Sequence, residues 1–151
     1  MDRRTFLGGL GVTAAGGLAG CTGAADEESG VRLPRVELIN ASTTDQTFHV
    51  IVKYGGEIAH WDSYDVESRY DEEGTGSMLV NPGIDPEPAH VSVHARVDDE
   101  ESEIDFDREG YGDGECVLAT FTYGFRGDDQ LTSYPELLED GGDVVAGISC
   151  P

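Results

Sequence analysis

Lysine is almost absent. Lys53 is the only one in 151 residues, and lysine and arginine together number 9 against 31 aspartates and glutamates, a formal charge of −22. With no basic patch to neutralise phosphates, nucleic acid is excluded as a partner. Cysteine is scarce as well: the chain holds three, and the spacing of Cys116 and Cys150 matches no C-x-x-C metal or redox site. Also missing are a G-x-S-x-G elbow, an H-E-x-x-H pair, a P-loop and a dinucleotide fingerprint. No catalytic residue and no cofactor is therefore assigned, and an acid pair for glycoside hydrolysis can be drawn from so many carboxylates in so many ways that none is informative.

What is present is one domain's worth of chain, too short for two separate cores. Removing residues 1 to 20 takes away Arg3, Arg4 and Asp2, so the remainder carries a formal −23 and the acidity belongs to the mature domain. Such a charge repels itself in dilute buffer. At about 1 M salt the screening length falls to about 3 Å and most of that repulsion disappears. The composition therefore suits concentrated salt. A disordered acidic tail is the competing reading, and 38% hydrophobic residues in short patterned runs argue against it.

The chain begins "MDRRTFLGGLGVTAAGGLAGC". Arg3 and Arg4 precede a moderately apolar run from Phe6 to Gly20 of fifteen residues, six of them glycine. That is shorter than the roughly twenty residues of a spanning helix, and the glycines weaken any helix. "RRTFL" resembles a twin-arginine export signal, and Leu18-Ala19-Gly20 before Cys21 resembles a lipoprotein lipobox. In that resemblance the Cys21 thiol forms a thioether to lipid, each buried CH₂ of which contributes about 0.8 kcal/mol to holding a soluble domain at a bilayer. The combination with extreme acidity resembles the exported lipoproteins of haloarchaea, which implies location on the outer face of the cell membrane and no particular activity. The expected organisation is a signal at residues 1–20, a flexible acidic tether at 21–31 and a folded domain at 32–151.

From residue 31 onward, β-branched and aromatic runs alternate with Gly, Asp, Asn and Pro clusters, the pattern of an all-β domain. Strands are expected near Arg35–Asn40, Thr47–Lys53, Glu57–Trp61, Ser77–Asn81, Ala89–Val97, Ser102–Asp107, Cys116–Tyr123 and Val144–Cys150, with a hairpin around Gly55-Gly56. Only "SYPELLEDGG", residues 133–142, has a helical look, with Pro135 suiting a first turn and Gly141 a stop. About eight short strands point to a Greek-key β-sandwich, similar in outline to immunoglobulin-like domains, with an eight-stranded barrel as the rival. Loops at Asp62–Gly76 and Asp98–Gly114 are expected to carry contacts. With Cys21 committed to lipid, Cys116 and Cys150 are expected to form a disulfide that pins the C-terminus.

Several constellations invite a chemical reading. "NASTTDQTFHV", ending near His49, resembles the first ligand region of cupredoxins, but no histidine or methionine follows Cys116. His90 and His94 in "HVSVH" share a strand face about 13 Å apart, too far for one ion, and the valines between them mark the core side. "DFDREGYGDGE", Asp105 to Glu115, approximates a calcium loop through Asp105, Asp107, Glu109 and Asp113, although Cys116 stands where a final glutamate belongs. A solvated acidic hairpin gives the same pattern. Trp61, Tyr64 and Tyr70 suit a sugar platform, and equally the core and rim of a sandwich. The reading carried forward is a lipid-anchored, non-enzymatic surface module whose partners are membrane lipid, through Cys21, and a cell-envelope protein or polysaccharide. A Ca²⁺-binding surface protein using the 105–115 loop is the alternative, and a hydrolase of unrecognised site the third.

Overall fold

A computed structural model describes residues 30–69, 76–84, 87–138 and Cys150. Within them are eight strands and one helical turn: β1 Arg32–Asn40, β2 Gln46–Tyr54, β3 Glu57–Val66, β4 Ser77–Val80, β5 Val91–Val97, β6 Glu100–Asp105, α1 Phe106–Glu109, β7 Cys116–Tyr123 and β8 Leu131–Leu137. They form two four-stranded sheets, β4-β1-β7-β8 and β3-β2-β5-β6. The fold is thus an all-β sandwich, and the barrel is set aside. Pairing is antiparallel except between β1 and β7, which run parallel in the middle of the first sheet. The edge strands β6 and β8 of the two sheets approach each other, with 2.6 Å between the Ser102 and Ser133 hydroxyls.

Alternation builds the core. In β2, Phe48, Val50 and Val52 turn inward, and in β5 Val91, Val93, Ala95 and Val97 do the same. Val36 and Leu38 of β1 and Val117, Ala119 and Phe121 of β7 meet them from the first sheet. At roughly 1.5–3 kcal/mol per buried side chain, these inner faces supply the main drive to fold. The long strand β3 and the strand β2 turn around Gly55 and Gly56, both at positive φ, as the sequence predicts.

Three differences from the sequence-based expectations have physical causes. Residues 131–137 are strand β8, not a helix, because the open edge of the fully buried β7 takes a partner there. Pro135 is compatible with an edge strand, where one N–H can be absent from the ladder. The predicted strand Ser102–Asp107 ends at Asp105: the Asp105 side chain accepts from Asp107 N at 3.2 Å, Phe106 dives into the core, and Gly110 closes the turn at φ 77°. The supposed loop from Asp62 is β3 as far as Val66. The expected strand Val144–Cys150 falls, apart from Cys150, outside the described residues. Cys116 and Cys150 are joined as a disulfide with Cα atoms 6.0 Å apart.

The sandwich takes in Gly30 and Val31, which the sequence assigns to the tether. Val31 is buried and exchanges backbone bonds of 2.9 and 3.1 Å with Ala89, while Gly30 accepts from Gly114 N at 2.7 Å. Gly30 sits at φ +115°, and a Cβ there would lie 2.1 Å from Ala89 O, so only glycine fits. This end of the sandwich is where the chain enters. The far end is tied by Asn40, fully buried at the end of β1: its Nδ2 donates to Thr44 O at 2.8 Å and Val66 O at 2.9 Å, and its Oδ1 accepts from Ser42 N and Ser42 Oγ.

Candidate binding face

The outer face of the second sheet follows from register. Side chains opposite one another across antiparallel strands share a face. One row therefore runs Ser63, His49, Arg96, Glu101; the next runs Trp61, Ile51, His94, Glu103; a third runs Ile58, Lys53, Ser92, Asp105. A bulge in β3 between the partners of Val52 and Lys53 brings Ile58 onto the same side as Trp61. The central strands thus carry the sole lysine, an arginine and two histidines, and β6 lays a line of carboxylates beside them.

Trp61 is 70% exposed and Ile58 56%. Between Trp61 on β3 and Glu101 on β6 lies a hollow of about 370 Å³, floored by Ile51 and Ala95 and flanked by His49, His94 and Arg96. Three of its side chains already have partners. His49 Nδ1 lies 2.7 Å from Ser63 Oγ, His94 Nε2 lies 2.8 Å from Glu103 Oε1, and Arg96 Nε donates to Asp98 O at 2.9 Å. A smaller hollow of about 150 Å³ continues the face toward the entry end, between Lys53, His90, Asp105 and Asp107.

His90 Nδ1 is 2.8 Å from Asp107 Oδ2. That hydrogen bond and the charge of Asp107 raise the His90 pKa above the usual imidazole value, against a small opposing effect of desolvation and with help from Asp113 and Asp105. As expected, Val91, Val93 and Val97 face the core and the flanking histidines face solvent. His90 and His94 each pair with a separate carboxylate.

Several carboxylates of the acidic loop have partners within the fold. Asp105 caps α1 and pairs with Arg108 Nε at 3.0 Å, Asp107 pairs with His90, and Asp113 Oδ1 accepts from Gly30 N at 3.2 Å. Glu115 accepts from Gly112 N. Among the described residues no three His, Cys, Asp or Glu side chains converge on a metal position. His49 stands exposed on β2, whereas Cys116 is in a disulfide on the other sheet, so the cupredoxin likeness ends there.

The aromatic trio divides. Trp61 and Tyr64 lie on opposite faces of β3, and Tyr64 is half-buried, stacked on His60 at 6.1 Å with its hydroxyl 2.8 Å from His60 Nε2. Burial, then the nearby Asp62 charge, raises the Tyr64 pKa. Tyr70, Cys21, Arg3 and Arg4 lie outside the described residues. Sequence reading missed the grouping of His49, Arg96 and Glu101 around Trp61, because three different strands contribute them and only register aligns them. No known family profile matches the chain, and no curated protein matches it in sequence.

Proposed function

We propose that this chain is exported through its twin-arginine signal, cut before Cys21, lipidated there, and displayed on the outer face of a salt-adapted cell as a binding module rather than an enzyme. Its ligand is taken on the outer face of the β3-β2-β5-β6 sheet. The observation that carries this reading is Trp61: a large aromatic side chain left 70% exposed, on a strand paired with β2, at a hollow lined by His49, His94, Arg96 and Glu101. Aromatic side chains dominate the energetics of such contacts.

Gly30 is clamped where β1 begins, so a lipid at Cys21 would hold the sandwich by that end. Residues 21–29 reach at most about 30 Å when extended.

The test is retention on envelopes of the native host in molar KCl, using the full chain with Cys21→Ser so that lipid does not contribute. The unaltered face retains the protein and Trp61→Ala loses at least tenfold, while Phe125→Ala, in the exposed turn between β7 and β8, changes nothing. Equal retention by all three overturns the reading of the face. Mass spectrometry of the native N-terminal peptide checks the anchor: a lipid-modified Cys21 is expected, and an intact Met1 contradicts it.

A further inference from the structure

The geometry points to a saccharide chain as the ligand of the Trp61 hollow, an inference that rests on the reading of this face as the binding surface. The exposed Trp61 indole lines the hollow, and an aromatic ring is the complement of the C–H face of a pyranose. Around it the polar groups are of mixed kind. Arg96 presents donors only, Glu101 presents acceptors, and the imidazoles of His49 and His94 each offer one nitrogen beyond the one already bonded to Ser63 or Glu103. A sugar hydroxyl both donates and accepts, so an array of hydroxyls uses such a mixture. A phosphate or sulfate would call for donors alone, and Glu101, with Glu103 and Asp105 behind it on β6, opposes an anion.

Size and shape agree. The hollow is at the small end of the range for ligand sites, about 300–1,000 Å³, which suits one ring of a longer chain. The second hollow, at Lys53 and His90, continues along the same face. From Arg96 back to His90 the backbone covers about 20 Å at about 3.4 Å per residue, room for a run of linked sugar units. In concentrated salt the screening length of about 3 Å removes most charge-selected attraction, whereas stacking and short hydrogen bonds persist. A second copy of the chain is a poorer occupant: Ile58 and Trp61 are the only strongly exposed large apolar side chains on this face among the described residues, and a stable interface needs about 800 Å² from each partner.

The protein carries its own reporter, because Trp61 is the single tryptophan in the sequence. Full chain with Cys21→Ser is titrated in about 2 M KCl, where screening is nearly complete, with neutral hexose oligomers of increasing length and, in parallel, with uronic acid oligomers. Expected is a saturable change in Trp61 emission whose affinity rises with oligomer length. Glu101→Gln and His94→Ala should each weaken it about tenfold, about 1.4 kcal/mol, without moving the urea unfolding midpoint. Envelopes treated with periodate, which cleaves vicinal diols, should lose Trp61-dependent retention, and protease-treated envelopes should keep it.

No emission change with any oligomer, together with Trp61-dependent retention that survives periodate and is lost to protease, overturns the saccharide and leaves the face as a protein-binding surface. Binding confined to the uronic acid series overturns the stacking geometry. A Trp61-dependent dimer in sedimentation overturns it in favour of a second copy. Retention indifferent to Trp61→Ala removes the underlying reading of the face itself.

Discussion

Replacing Asn40 with alanine should be among the most damaging changes available on this scaffold. The Asn40 side chain is fully buried and takes part in four hydrogen bonds, to Thr44 O, Val66 O, Ser42 N and Ser42 Oγ. Each such bond contributes about 1 kcal/mol net, and a buried carbonyl left without its donor costs about 1–3 kcal/mol. The bond to Val66 O is buried, whereas the partners of the other three are reached by solvent and recover part of their loss. The expected cost is therefore about 3 kcal/mol. With a urea m-value of about 1.5 kcal/mol/M, the unfolding midpoint in molar KCl falls by about 2 M at unchanged slope. Ser42→Ala removes one hydroxyl of the same knot and should cost about 1 kcal/mol. Gln46→Ala breaks only an exposed bond to Thr44 Oγ1 and should stay within about 0.5 kcal/mol. A loss below about 1 kcal/mol for Asn40→Ala would show that water replaces the amide freely and that the knot does not hold the far end.

Reducing the Cys116–Cys150 disulfide, which closes a separation of 34 residues, should lower stability by about 4 kcal/mol, read from urea midpoints with and without reductant. Raising KCl from about 0.1 M to about 2 M should move the thermal midpoint upward as self-repulsion is screened, and a flat response would contradict the salt-adapted reading. The His90 imidazole, followed by NMR at low salt, should titrate above the ordinary histidine value and return toward it in Asp107→Asn. The sign follows: because the folded-state pKa is raised, the contribution of this pair is fully present below the unfolded pKa of about 6.5 and is lost as pH rises through the folded value. His90 is well exposed, so added salt should shrink the shift.

Most of the fold was legible because period-two alternation is a strong local signal wherever one face is buried. "FHVIV" in β2 and "VSVHARV" in β5 announce both their strands and their inward faces, and Cys116–Tyr123 is matched to the residue. The failures share a cause. In residues 131–137 the local preference of Pro-Glu-Leu-Leu for a helix yields to the demand of β7 for a partner on its open edge, a tertiary requirement that no short window contains. In β3 only Val66 is buried, so the alternation that would extend the strand past Trp61 is not written in hydrophobicity. In the acidic loop the carboxylates fall at ligand-like intervals, and spacing alone does not show that Asp105, Asp107 and Asp113 take three different partners around the helical turn at Phe106. Trp61 was noticed for its chemistry, yet its setting depends on a bulge and on the register of β2, β3, β5 and β6, which sequence spacing does not encode.

Side-chain oxidation on living cells addresses the binding face most directly. Hydroxyl radicals generated around intact cells of the native host label exposed aromatic residues, and digestion with mass spectrometry reads each one. Trp61, Phe125 and Tyr134 are all exposed in the isolated domain, on separate parts of its surface. The proposed function predicts that Trp61 is protected on the cell and reactive in purified Cys21→Ser protein free of envelopes, while Phe125 and Tyr134 react equally in both settings. Oxidation of Trp61 at the same rate on cells and in solution would contradict it.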